Sequence, residues 1–426
     1  MKSRLKKLEG TARLFEIEMP RETVDRVFNE VLENIRKDAA IAGFRPGNAP
    51  MDIIRKKHGE EAMDEAKKRL ITRGYQQALE EHDVSPISYP EVSDIDLKLS
   101  GELTFKAKVD IHPELNLRPY KGIKVTTYRV SVSDKEVEET LERLRNMHAE
   151  FTGIDRPLQD GDFGICDVET FMDGQLVSKK RENMWIEVDK EASMLGVGSE
   201  LRGLKKGDSK EIEVTLPGDF PDKKYAGKKA VFKVEVKDTK EKKLPELDDG
   251  LAKKLGKETI GECKEEIKTQ LMERKEAGSK VEMENQILEE MLKKNPVALP
   301  ESLVKRQMKV LMDRAEDDLA KKGLDKGSIE SHRDKLKAQL RKEAEDKVKA
   351  YFLLSAVADR ENIEVTDEET DNWLSSLAAS YNKPFEDIKK YYEQHDLIGG
   401  LREQLREEKT LDFLLSEAAV TIKEKK

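Results

Sequence analysis

The chain has 426 residues, of which 39% are charged, 37% hydrophobic and 5% aromatic. That length allows two to four domains, and the composition suits charged helical surfaces over modest cores. A formal net charge of −9 argues against general nucleic-acid binding, and no run approaches the ~20 apolar residues of a membrane span.

The N-terminus carries Lys and Arg with no apolar stretch behind them, so no secretory signal is expected. Cys166 and Cys263 match no metal spacing and indicate a reducing, cytoplasmic setting. The six histidines are scattered, so neither a metal centre nor a His-based triad is expected. Charge is uneven. Residues 1–58 hold 13 Lys/Arg against 9 Asp/Glu. A basic front end on an acidic body fits a chain whose first domain alone approaches RNA; uneven chance distribution is the plainer alternative.

In chain order, Phe15, Ile17 and Met19 alternate as a half-buried strand does. Pro20 then opens a helix whose apolar face is Val24, Val27, Phe28, Val31, Leu32 and Ile35. Gly43-Phe44-Arg45-Pro46-Gly47-Asn48-Ala49-Pro50 cannot continue it, with two glycines and two prolines in eight residues. Pro50 starts a new helix through Ile53 and Ile54, and a longer helix follows near 60–82. Leu103, Phe105, Ala107, Val109 and Ile111 alternate again. The rigid loop therefore carries a large ring beside a cation at its tip. Either Phe44 folds back under the loop and Arg45 is solvated, or the pair is a docking tip for phosphates and bases.

Farther on, Ile123 and Val125 suggest a strand, and Ser133-x-x-Glu136 is a capping box opening a helix. Residues 151–243 turn to strands and Gly/Asp turns, with a hairpin signal at Asp173-Gly174 and one short helix near Glu200. Ile212, Val214 and Leu216 alternate, as do Phe232, Val234 and Val236. The remainder reads as charged helices, one ending before Pro296, one from Pro300-Glu301, one through Leu336 to Phe352, one from the capping box Thr366-x-x-Glu369, one from Pro384 and a last through Leu401 to Leu414. Their stripes are too short for a continuous coiled coil and suggest arms from a common body. Met272, Met283, Met291, Met308 and Met312 fall in this part. Flexible and polarizable, they suit either irregular core gaps or adaptable contact with many apolar segments. No Gly-x-x-x-x-Gly-Lys-[Ser/Thr] loop is present, so no nucleotide cycle is expected.

The loop resembles the Gly-Phe-Arg-x-Gly-x-x-Pro signature of the trigger factor family, bacterial ribosome-associated chaperones, at every fixed position from Gly43 to Pro50. The resemblance implies that Phe44 and Arg45, held between Gly43 and Gly47, dock near the exit tunnel of the large ribosomal subunit, on protein and rRNA. Many members have Lys after the Arg; Pro46 stands there in this chain. His112-Pro113-Glu114-Leu115 resembles the family's first domain end, and Leu244-Pro245-Glu246-Leu247 its re-entry into the C-terminal body. The implied architecture is α+β multidomain. It comprises an α+β ribosome-binding domain (1–114), a connector packing with the C-terminal body (115–150), an FKBP-like β-rich domain (151–243) and an all-α body with arms (244–426). Implied partners are the ribosome and nascent or unfolded polypeptides, with a weak homodimer off the ribosome, no membrane and no cofactor.

An FKBP-type module lowers the ~18–20 kcal/mol barrier of amide rotation in an apolar, aromatic-lined cavity, without nucleophile or proton shuttle. Residue by residue, the resemblance puts Val168 where the first strand usually carries a Tyr or Phe, and Val177 and Ser178 where Phe and an acid usually follow the hairpin. Met194-Leu195-Gly196-Val197 stands for Ile-Pro-Gly-Phe, and Phe232 is retained. Weak or absent isomerase activity follows from this, unless Phe163, Phe171 or Trp185 supplies the missing rings. The function expected is an ATP-independent chaperone docked at the ribosomal exit. A chain that mainly isomerises X-Pro bonds and a purely structural helical adaptor are the competing readings.

Overall fold

The computed structural model describes residues 1–45, 47–97, 101–172, 174–177, 180–189, 196–216, 227–321 and 326–424; side chains at 97, 326, 328–332, 334 and 335 lie outside the description. It divides into two compact units, residues 1–128 with 280–426, and residues 129–279.

The chain opens with β1 (Lys2–Lys7), β2 (Ala12–Met19), α1 (Arg21–Asp38), α2 (Met51–His82), β3 (Glu91–Leu97) and β4 (Leu103–Asp110). The four strands form an antiparallel sheet in the order β1-β2-β4-β3. Alternation on β2 and β4 puts Phe15, Ile17, Met19, Leu103, Phe105, Ala107 and Val109 into one core with the apolar face of α1. Full burial stabilises each large side chain there by roughly 1.5–3 kcal/mol. Where the sequence suggests two helices after Pro50, a single 32-residue helix runs from Met51. A glycine inside a helix costs only about 1 kcal/mol, so Gly59 does not break it. The stripe Ala62, Ala66, Leu70, Gly74 and Ala78, all buried, repeats every four residues and keeps the helix against the core.

Next come β5 (Lys124–Tyr128) and α3 (Asp134–Met147), then β6 (Glu150–Gly153), β7 (Phe163–Met172), β8 (Gln175–Leu176), β9 (Arg181–Glu187), α4 (Val197–Glu200), β10 (Ser209–Thr215) and β11 (Lys229–Lys243). The capping box at Ser133 and Glu136 forms as its spacing requires. The sheet of the second unit runs β10-β11-β7-β8, with β6 pairing β11 and β9 pairing β7. Asp173 lies outside the described residues; Gly174, with φ +78°, takes the left-handed conformation next to β8.

The helices that follow are α5 (Asp249–Lys254), α6 (Ile260–Lys294), α7 (Glu301–Lys321), α8 (Lys326–Arg360), α9 (Asp367–Ser380), α10 (Phe385–Gln394) and α11 (Ile398–Ser416), before a last strand, β12 (Ala419–Lys423). The second capping box, Thr366 with Glu369, also forms. β12 pairs with β5 in parallel. Val125 of β5 joins Ile287 and Met291 of α6, Leu353, Leu354 and Val357 of α8 and Leu414 of α11 in one core. In the second unit, Val137 and Leu141 of α3 pack with Ile267 and Leu271 of α6. The architecture is thus mixed: an α+β N-terminal part, a β-rich middle and a helical C-terminal part.

Candidate functional site

The loop between α1 and α2 is pinned at both stems. Ile41 and Ala49 are buried in the N-terminal core. Backbone bonds shape what lies between: the Phe44 N–H donates to the Ile41 carbonyl at 3.0 Å, the Gly47 N–H to the Arg36 carbonyl at 3.0 Å and the Asn48 N–H to the Arg45 carbonyl at 3.0 Å. Gly43 and Gly47 have φ of +88° and +87°, a region costly for side chains with a Cβ. Phe44 is 42% exposed and Arg45 is exposed. Among the described residues, nothing pairs with the Arg45 guanidinium or stacks on the Phe44 ring. Lys56 and Lys57 near the start of α2 are exposed as well. Pro46 lies outside the described residues. A ring and a planar cation are thus presented together at the tip of a loop whose own backbone bonds fix it, an arrangement suited to phosphate and to a hydrophobic cleft.

The first unit also has an open cleft of 730 Å³ whose apolar lining includes Ile87, Leu288, Leu303, Phe352 and Leu411. His112 meets Phe352 edge-on, ring centroids 6.0 Å apart. Arg306, Gln307, Lys347, Tyr351 and Glu407 add polar groups. Burial pushes the Glu407 carboxyl above the usual range, and Glu403 and Glu408 push in the same direction. A second groove of 800 Å³ between α6 and α8 shares Leu288, Lys347 and Ala350 with the first. These residues come from segments far apart in the chain, and no motif joins them.

The methionines divide. Met291 fills the core around Ile287, and Met312 is buried on α7. Met283 and Met308 are half-buried at the edges of two cores, and Met272 is half-buried on α6. None of the five lines the cleft.

In the middle sheet, Val168 pairs with Val234 and Thr170 with Phe232, which sets these residues on one face. On that face Val168, Val197 and Phe232 are closed into one core with Cys166, Leu201 and Ile212. Val177 stands at the surface; Ser178 and Met194 lie outside the described residues. The rings that could replace missing aromatics are elsewhere. Phe163, Ile165 and Phe171 alternate with the inward set, and Trp185 is paired with Ile165. On this opposite face Phe151 lies edge-on to both Phe163 and Trp185, each at 5.1 Å, and the Lys242 Nζ sits 5.7 Å from the Phe163 ring centre. Burial drives the Cys166 thiol up to about 12, so it is no nucleophile at neutral pH. Among the described residues no cluster of His, Cys, Asp and Glu could hold a metal, and no helix is long and apolar enough to cross a membrane.

Comparison with known proteins converges on one family. Profiles described as bacterial trigger factor protein and as its C-terminus match residues 1–144 and 259–416. The trigger factor of Geobacillus thermodenitrificans is 33% identical over 99% of this chain and 100% of its own length. That of Solibacter usitatus is 31% identical over 97% and 99%. A solved structure of the trigger factor chaperone, from work on its promiscuous substrate recognition in folding and assembly, is 25% identical, covers 98% of this chain with all of its own, and has a TM-score of 0.51. With the signature loop, the order of its parts and relatives aligned from end to end all in agreement, the chain belongs to the trigger factor family of bacterial chaperones.

Proposed function

We propose that this chaperone docks on the large ribosomal subunit through residues 43–47, Pro46 included, and holds nascent or unfolded segments while they fold. Residues 1–114 serve as the docking part. Residues 244–426, with 115–150, hold the client, and 151–243 form an FKBP-type part with weak or no isomerase activity. Work and docking take place in the cytoplasm, without nucleotide or cofactor. The observation that carries the docking role is the exposed Phe44–Arg45 pair on a loop fixed between two left-handed glycines. Energy spent on ordering the tip is already met in the free chain, so contact energy goes into binding. The open cleft supports the holding role: its apolar lining is spread over several elements, and its polar groups leave a bound segment free to exit.

Co-sedimentation with ribosomes tests the docking. Arg45→Ala is expected to weaken pelleting about tenfold and to reduce its salt sensitivity, since one phosphate contact is lost. Phe44→Ala is expected to weaken it without changing the salt slope. Wild-type pelleting by the double variant would remove this loop from the docking surface.

A further inference from the structure

The parallel pair β5–β12 has one closed edge and one open edge. On β5, the Gln286 side chain takes both backbone groups of Thr126: its Oε1 accepts from the Thr126 N–H at 2.9 Å and its Nε2 donates to the Thr126 carbonyl at 2.8 Å. An amide side chain stands where a third strand would otherwise bond. On β12, the Ala419 N–H donates to the Ile123 carbonyl at 2.9 Å. The register Ala419↔Lys124, Val420↔Val125, Thr421↔Thr126 then makes Ala419, Thr421 and Lys423 the residues that bond to β5. Val420 and Ile422 direct their N–H and C=O groups the other way, and no described residue meets them. Their side chains share a face with buried Val125, yet they are 44% and 67% exposed, because the core ends beneath β5.

We infer that the outer edge of β12 is a strand-addition site for an extended segment of an unfolded polypeptide with apolar residues at alternate positions. Exposed, unblunted edges with apolar side chains are what proteins ordinarily avoid, because they template pairing with another chain. Here neither proline nor bulge interrupts the five residues Ala419–Lys423, and their one charge, Lys423, stands at the strand's end, past Val420 and Ile422. Added backbone meets four waiting groups on Val420 and Ile422, and its alternate side chains extend the apolar shelf those residues make. A second copy is the poorer occupant. Self-pairing of a five-residue strand buries far less than the ~800 Å² per partner of a stable interface. A transient client needs no more than brief capture, and backbone recognition tolerates many client sequences. The inference rests on the chaperone reading above and adds a mode of capture that reads the client's main chain.

The test uses the full chain and a fluorescent eight-residue peptide of alternating Val and Thr, beside the same peptide N-methylated on every second amide. The expected result is anisotropy binding at least about fivefold weaker for the methylated peptide, as lost hydrogen bonds require. Slowed hydrogen exchange at the Val420 and Ile422 amides, only with peptide present, is expected too. Val420→Pro with Ile422→Pro removes outward N–H groups that no internal bond uses; the circular-dichroism spectrum and thermal midpoint should be retained while peptide affinity falls by a similar factor. Equal binding of both peptides overturns the inference, as does protection of these amides by concentration alone, which would assign the edge to self-pairing. Loss of all aggregation suppression by the unmodified chain would instead remove the chaperone reading beneath it.

Discussion

A carboxylate held in an apolar cleft without an ion pair favours its neutral form. Glu407, with no ion pair among the described residues, is such a group: burial raises its pKa, with Glu403 and Glu408 adding to the shift. Between the ordinary carboxylate value and the raised one, the folded chain binds more protons than the unfolded chain. Stability from this group is therefore full below the unfolded value and is lost as pH rises through the folded one. Glu407→Gln removes the titration. Thermal unfolding should move up by about 1–4 °C at pH 8, with the gain shrinking toward pH 5. An equal gain at both pH values would show that the effect is packing, not charge. Residues like this are invisible in the sequence, since nothing there marks one Glu among many as half-buried. Phe44 and Arg45 are nearer the opposite case. Glycine and proline spacing marks the loop that carries them, while their exposure, which the sequence leaves open, is set by the buried stems Ile41 and Ala49 and the backbone bonds between them. Val168, Val197 and Phe232 lie between these cases. Val168 and Val197 are legible as aliphatic replacements and Phe232 as a retained ring, but that the three close into one core with Cys166 is a matter of strand register.

At the level of elements, helices are legible and several strands are not. Period-3.6 stripes, capping boxes and prolines mark α1, α3, α6, α7, α9, α10 and α11 at one or both ends within a few residues, while the stripe from Leu336 to Phe352 lies inside α8 and misses its first turns. β1 reads Lys-Ser-Arg-Leu-Lys-Lys, with no alternation to find, and in β12 the short alternation of Val420 and Ile422 about Thr421 buries nothing. Such strands are set by a partner strand, not by their own pattern. Asp110, at the end of β4, ties two elements distant in sequence. Its buried carboxylate accepts from the Thr11 hydroxyl at 3.1 Å and from the Ser302 N–H at 3.0 Å, in the first turn of α7. A helix N-terminus favours an anion there. Asp110→Ala leaves both donors without this partner and is expected to cost about 2–4 kcal/mol, read as a lower urea midpoint. Asp110→Asn should recover part of that, keeping an acceptor while losing the charge. An unchanged midpoint for Asp110→Ala would mean that water replaces the carboxylate at no cost.

Over the whole molecule, holding a client and isomerising one make opposite demands on apolar surface. Holding needs open, spread-out surface, such as the cleft lined by Leu288, Leu303, Phe352 and Leu411. Isomerisation needs a cavity that desolvates a single amide and lets it twist. In the middle sheet, Val168, Val197 and Phe232 are packed into the inner core, while Phe151, Phe163 and Trp185 gather on the other face. Full-length protein should therefore suppress aggregation of an unfolded client while accelerating cis–trans exchange of a Phe-Pro peptide little or not at all. Both assays belong on one preparation, so that an inactive isomerase cannot be mistaken for unfolded protein. If exchange is catalysed, two substitutions locate it. Loss on Phe232→Ala, with aggregation suppression intact, would place catalysis at the inner face, in a cavity opened by motion of that core. Loss on Trp185→Ala would place it on the outer ring cluster, a surface with no counterpart among the inner-face positions. Strong catalysis that survives both changes would overturn the separation of holding from chemistry on which this reading of the chain depends.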